Sequence, residues 1–228
     1  MNDSPRIKVT VAAPPSTVWA ALRDKEQIRQ WHGWEFTGGV DGSLDQEIEL
    51  IYFTDVSTEG HAIDLNGGDR IELADAAGGG TELTLIRAAV GDDPDWARYY
   101  DDITEGWITF MQQLRFAVER HPGDTRRTVL VSGTGKTAPA TALDASKLNV
   151  GDRYELDFPA EKATGTVWFR SEHQLGLTVD GWNDGLVVLT HDAESGAARA
   201  LLSLYGVDEA RHTELTKHWQ DWWTAAVQ

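Results

Sequence analysis

The chain has no cysteine in its 228 residues, which excludes disulfides, thiol catalysis and cysteine-held metals. Basic residues are scarce: 20 Lys and Arg stand against 37 Asp and Glu, a formal net charge of −17. A surface of that sign repels phosphate backbones and anionic headgroups, so neither nucleic acid nor membrane is expected as a partner. No run approaches eighteen apolar residues, and Met1–Arg6 lacks an apolar signal core. A cytoplasmic protein without signal peptide or membrane span is the expectation. Hydrolase signatures such as GxSxG and HExxH are absent as well.

What is present begins with a patterned opening. Ile7, Val9 and Val11 alternate with Lys8 and Thr10, the period of a strand with one buried face. Pro14 and Pro15 stop the ladder, because proline has no N–H to give it. Ser16 is placed to cap a short helix bearing Val18, Trp19 and Leu22, and a second runs from about Asp24 to Trp31, with Gly33 releasing the chain. Further on, Asp93-Pro94 offers an N-cap and a first-turn proline. Ile103, Trp107, Phe110, Met111, Leu114 and Val118 then recur on one helical face. Between the helical parts, period-2 alternation predicts strands around Ile48–Tyr52, Ile71–Leu73 and Leu83–Leu85, punctuated by Gly67-Gly68 and Gly78-Gly79-Gly80.

The stretch Val9–Trp34 (VTVAAPPSTVWAALRDKEQIRQWHGW), with Gly106-Trp107 on the later helix, resembles the START-like (Bet v 1-like, SRPBCC) superfamily, most closely the branch of the Hsp90 ATPase activator homologues. The resemblance covers residues 6 to about 120. It implies an α+β helix-grip fold, in which a curved antiparallel sheet packs on a long C-terminal helix and can enclose an apolar cavity.

The second half repeats the order of the first. Pro122-Gly123-Asp124 reads as the start of a linker, taken as residues 122–127 between a first domain at 1–121 and a second at 128–228. Strands are expected at Thr128–Val131, Tyr154–Phe158, Thr166–Ser171, Leu175–Val179, Leu186–Thr190 and Arg199–Tyr205, with Asn183-Asp184-Gly185 as a hairpin signal. A last helix from about Asp208 carries Leu215, Trp219, Trp222 and Trp223. No second Pro-Pro-x-x-Val-Trp element follows Val131, and the alanine-rich Thr137–Lys147 has room for one short helix. The reading is a degenerate second copy, acting as scaffold; an unrelated β-rich domain is the alternative.

Ten tryptophans are too many to ignore in a chain of this size. On the first domain, alternation points Tyr52, Leu50 and Ile71 inward, and helical spacing puts Trp107 and Met111 on one face, with Trp31 closing the second short helix. Trp31, Tyr52, His61, Ile71, Trp107 and Met111 are therefore the candidate ligand contacts, His61 being the polar one. The same side chains can wall a cavity or fill a core. Trp96 is placed in the exposed acidic first turn.

Other motifs fall away. Ser132–Thr137 (SGTGKT) follows a strand, but a phosphate loop needs glycine where Leu130 stands. His212 and His218 are six apart, about 240° round a helix, and cannot share a metal. Asp92, Asp93, Asp95, Asp101 and Asp102 suit a helix start better than calcium. No metal, no cofactor and no catalytic residue is assigned, although His32 or His61 could donate a proton. Non-catalytic binding of a small apolar or amphipathic ligand ranks first. A polyketide aromatase/cyclase-like enzyme, or an interaction module like the Hsp90 activator whose protein partner is unknown, are the alternatives.

Overall fold

The computed structural model describes residues 5–36, 42–88 and 94–227. The chain divides into two compact units, residues 1–123 and 124–228. Each is α+β with one antiparallel sheet and a closing helix.

In the first unit, β1 (Arg6–Val11) is followed by α1 (Pro15–Arg23), α2 (Lys25–Arg29) and α3 (Leu44–Tyr52). Four strands come next: β2 (Ser57–Glu59), β3 (Ala62–Asp64), β4 (Arg70–Asp75) and β5 (Thr81–Ile86). The unit closes with α4 (Pro94–Arg120). The sheet order is β1-β5-β4-β3-β2, so the first strand pairs with the last and the rest form a meander. Register aligns Ile7, Leu85, Ile71 and Ile63 in one row, and Val9, Leu83 and Leu73 in the next. The alternation expected of these strands thus becomes one apolar face. Helix α4 lies against β1 and α1.

Two local expectations are corrected. Ile48–Tyr52 is helical, not extended: Leu44, Ile48 and Tyr52 recur at i, i+4 and are buried, while Leu50 is 55 % exposed. Ser43 and Gln46 form a capping box at its start, which commits the segment to helix. Ser16 does not cap α1; Pro14 holds the cap position with no side-chain bond, and Pro15 begins the helix. On α4, Trp107, Met111 and Leu114 form the buried face, but Ile103 is exposed. The side chains of Trp96 and of the Asp92–Asp102 cluster lie outside the described residues.

The second unit runs β6 (Arg126–Thr134), α5 (Pro139–Ala142), β7 (Arg153–Phe158), β8 (Glu161–Arg170), β9 (Gln174–Val179), β10 (Gly185–His191), β11 (Ala197–Tyr205) and α6 (Glu209–Ala226). Its order is β6-β11-β10-β9-β8-β7. Again the first strand pairs with the last, and the closing helix packs on that first strand. The unit has one strand more than its counterpart, and the single turn of α5 stands in the alanine-rich segment after the first strand. Asn183 and Asp184, both at positive φ, make the turn into β10. Phe158, Trp182 and Trp219 meet edge to face or tilted at 5.7–6.0 Å in its core. Gly165 lets the Tyr154 ring cross the neighbouring strand and donate to the Thr178 carbonyl at 2.5 Å; a Cβ there would stand 1.8 Å from that oxygen. The SGTGKT segment ends β6 and then binds the chain's far end, Lys136 N–H donating to Val227 O at 2.9 Å, which leaves no phosphate cradle.

Candidate functional site

The site is built around a histidine. Asp24 caps α2 by accepting from the N–H groups of Glu26 and Gln27, and the chain leaves that helix directly into Trp31 and His32. Trp31 is anchored by its indole N–H, which donates to Ala21 O at 2.9 Å. His32 is 0 % exposed and ringed by aromatic side chains, with centroids at 4.5 Å (Phe110), 5.1 Å (Tyr52), 5.7 Å (Trp31) and 6.3 Å (Trp107). Burying a polar ring in such surroundings costs free energy unless both nitrogens are satisfied. Helix α3 supplies both partners. Tyr52 Oη lies 2.9 Å from Nδ1, and Glu47 Oε1 lies 3.2 Å from Nε2. A carboxylate can only accept, so in the neutral imidazole Nε2 carries the proton and Nδ1 accepts the phenol.

The three groups form a graded line from interior to solvent. Tyr52 is fully buried, His32 likewise, and the Glu47 side chain is 37 % exposed. Burial pushes the Tyr52 phenol well above its ordinary range, and the charges of Glu47 and Asp69 add to the push. In the second unit burial also raises Tyr154, with Asp180 adding, and Tyr205, which is pushed up to about 12. The sign for stability is definite. A phenol whose folded value lies above its unfolded value contributes stability that is intact below pH about 10 and is lost as pH climbs toward the folded value. Urea unfolding should therefore show stability falling above pH about 10, by about 1.4 kcal/mol per pH unit for each such phenol. Tyr52→Phe should make that slope shallower by one proton. A slope identical in the variant would mean that Tyr52 titrates normally.

Of the six predicted contacts, five are buried, and the rings of three of them meet. Trp31, Tyr52, Ile71 and Met111 are buried completely or nearly so, and Trp107 is 6 % exposed. The rings of Trp31 and Tyr52 meet at 5.7 Å, and those of Tyr52 and Trp107 at 6.3 Å. His61 stands apart, exposed on the β2–β3 turn with its ring 5.6 Å from that of Trp19. The polar residue at the centre is His32. Its partners could not be read from spacing, because both lie on a helix that alternation presents as a strand. Phe110 was part of the helical stripe, and its contact with His32 emerges only in three dimensions. Among the described residues no group of three His, Cys, Asp or Glu could hold a metal ion, and no helix is long and apolar enough to cross a membrane.

No protein-family model and no curated protein matches the chain. Solved structures similar to it include the following three. DynU16, from the dynemicin biosynthetic locus, is 18 % identical over 99 % of this chain and 97 % of its own, with a TM-score of 0.37. The di-domain ARO/CYC StfQ of the steffimycin biosynthetic pathway is 12 % identical over 93 % of this chain and 87 % of its own, at 0.34. An AHSA1-like protein from Rhizobium etli is 21 % identical over 50 % of this chain and 81 % of its own, at 0.31. All three scores are low, and the fold of each unit is defined by its own strand order.

Proposed function

We propose that the first unit binds a small apolar or amphipathic ligand between its sheet and α4, against Trp31, Tyr52, Ile71, Trp107 and Met111. The observation that supports this reading is His32. An interior that needs only to be filled gains nothing from an imidazole, whereas an aromatic wall with a few convergent polar groups is what a ligand site requires. His32, with Tyr52 and Glu47, is that polar group in place of His61. The second unit, on this reading, is a degenerate copy of the first, sharing its pairing of first with last strand and keeping only α5 of the short helices.

The test uses the neutral probe N-phenyl-1-naphthylamine, whose emission rises in apolar surroundings, together with melting curves in the presence of fatty acids, aromatic polyketides and isoprenoids. Saturable probe binding at micromolar concentration is expected, with sensitised emission from nearby tryptophan that Trp107→Phe lowers. A true ligand raises the melting temperature by mass action. Absence of saturable probe binding, with no ligand shifting the melting curve, would overturn the reading. A second reading, a proton-moving enzyme of the aromatase/cyclase kind, draws on the Tyr52–His32–Glu47 line alone. It requires that Tyr52→Phe abolish turnover of a bound ligand while leaving its affinity intact.

A further inference from the structure

The second unit carries a small cavity. It measures about 150 Å³ and is bounded by α5 together with the ends of β8, β9 and β10. That is well under the roughly 300 Å³ of a drug-sized site, and room for a group of a few heavy atoms. Its walls include Arg170, His173, His191, Thr141, Ser146 and Glu172. These come from four separate segments, brought together because β9 and β10 pair and the backbone N–H of His191 donates to His173 O at 2.9 Å.

Part of the donor set is spent on positioning and part is left over. Arg170 is fixed by its own loop: Nε donates to Leu148 O at 3.0 Å, and Nη2 to Ser146 O at 3.1 Å and Ala145 O at 3.4 Å. Its Nη1 donates to no described residue. The imidazoles of His173 and His191 are half-buried, and neither is hydrogen-bonded to another described residue. The charged groups facing them are Arg170 and the exposed Glu172 at the cavity, and Asp192, whose carboxylate acts on His173 through space but is already engaged by Ser195 and the N–H of Glu194. A metal is not the fitting ligand, since no three-residue set among the described residues can hold one. A guanidinium edge, two imidazoles and two hydroxyls present donors, and donors in a small concavity fit an acceptor with negative charge.

We propose that the second unit binds a small oxyanion, a carboxylate or phosphate group, in the cavity bounded by Arg170, His173 and His191. Among the wall residues Arg170 is the fixed positive charge and Glu172 the negative one, so the anion is held chiefly by hydrogen bonds from the guanidinium, the imidazoles and the hydroxyls. Such a site gives the second unit a binding role of its own, where a degenerate copy alone would be scaffold. Nothing in the proposal depends on the first unit holding a ligand.

The experiment is an NMR titration of the histidine ring resonances of the full chain, with inorganic phosphate in one arm and acetate in the other. Two of the seven histidines, His173 and His191, are expected to shift saturably, with a dissociation constant of about 1 mM or tighter. The arm that saturates first tells phosphate from carboxylate. The double variant His173→Gln, His191→Gln, checked for native circular dichroism, should lose at least tenfold in affinity for the anion, followed calorimetrically. The proposal is overturned if neither anion saturates those two rings, or if the double variant binds as tightly as the parent.

Discussion

Trp107→Ala is expected to lower the unfolding free energy of the first unit by about 3–5 kcal/mol, read from the urea midpoint. The ring is 6 % exposed on α4, with Tyr52 at 6.3 Å and Phe110 at 6.0 Å, both near perpendicular, and His32 at 6.3 Å. Truncation removes the transfer energy of the indole, these edge-to-face contacts and one wall of the His32 enclosure. The surrounding rings are large and flat, so they cannot collapse to refill the space. A loss below about 1 kcal/mol would show that the indole borders an open cavity and packs little, because a ring facing a void has few contacts to lose. Alanine at this position would itself open an apolar hole able to take up small apolar molecules, which is why the binding experiment uses Trp107→Phe.

The strands of the second unit, β1, β4 and β5 of the first, and both terminal helices are legible in the sequence because their signals are local, whereas the three-residue β2 and β3 are too short to show an alternation. Alternation at Ile7–Val11, Ile71–Leu73 and Leu83–Leu85 survives into the rows of the first sheet. Asp208 caps α6, accepting from the Arg211 N–H, and the Asn183-Asp184 turn sits between β9 and β10. Helix α3 misleads because Ile48, Leu50 and Tyr52 satisfy a period of two as well as of four. The deciding signal, Ser43 with Gln46 three residues on, lies just outside the alternating run. The consequence reaches the site. Tyr52 enters the interior as expected but from a helix, and one turn earlier that helix places Glu47 beside it. His32 looked isolated in sequence because its two partners are 15 and 20 residues away, on the element whose period is ambiguous. The cavity at Arg170, His173 and His191 had no local signature either, since it depends on strand register and on a loop that folds back over β8.

Asp69→Ala is expected to cost about 3–5 kcal/mol, because it removes one member of a buried, hydrogen-bonded ion pair. Arg87 is 5 % exposed and Asp69 8 %, and Arg87 Nε donates to both carboxylate oxygens at 3.0 and 3.1 Å. The same carboxylate accepts from the Ala88 N–H at 2.7 Å, and Arg87 Nη1 donates to Thr104 Oγ1 on α4 at 2.6 Å. The pair therefore joins the ends of β4 and β5 to the closing helix, beneath which the His32 cluster lies. Replacing both members with apolar residues, Asp69→Leu with Arg87→Met, should recover much of the loss, since no charge is then stranded. A single-variant cost below about 1 kcal/mol would mean that water reaches the pair and screens it as on a surface. Asp69 also contributes to the upward push on the Tyr52 phenol, after burial and Glu47. In Asp69→Ala the alkaline loss of stability should accordingly weaken, because the Tyr52 value falls back toward that of the unfolded chain. An alkaline slope unchanged beside a large loss at neutral pH would confine the role of Asp69 to the clamp on α4 and leave the phenol governed by burial and Glu47.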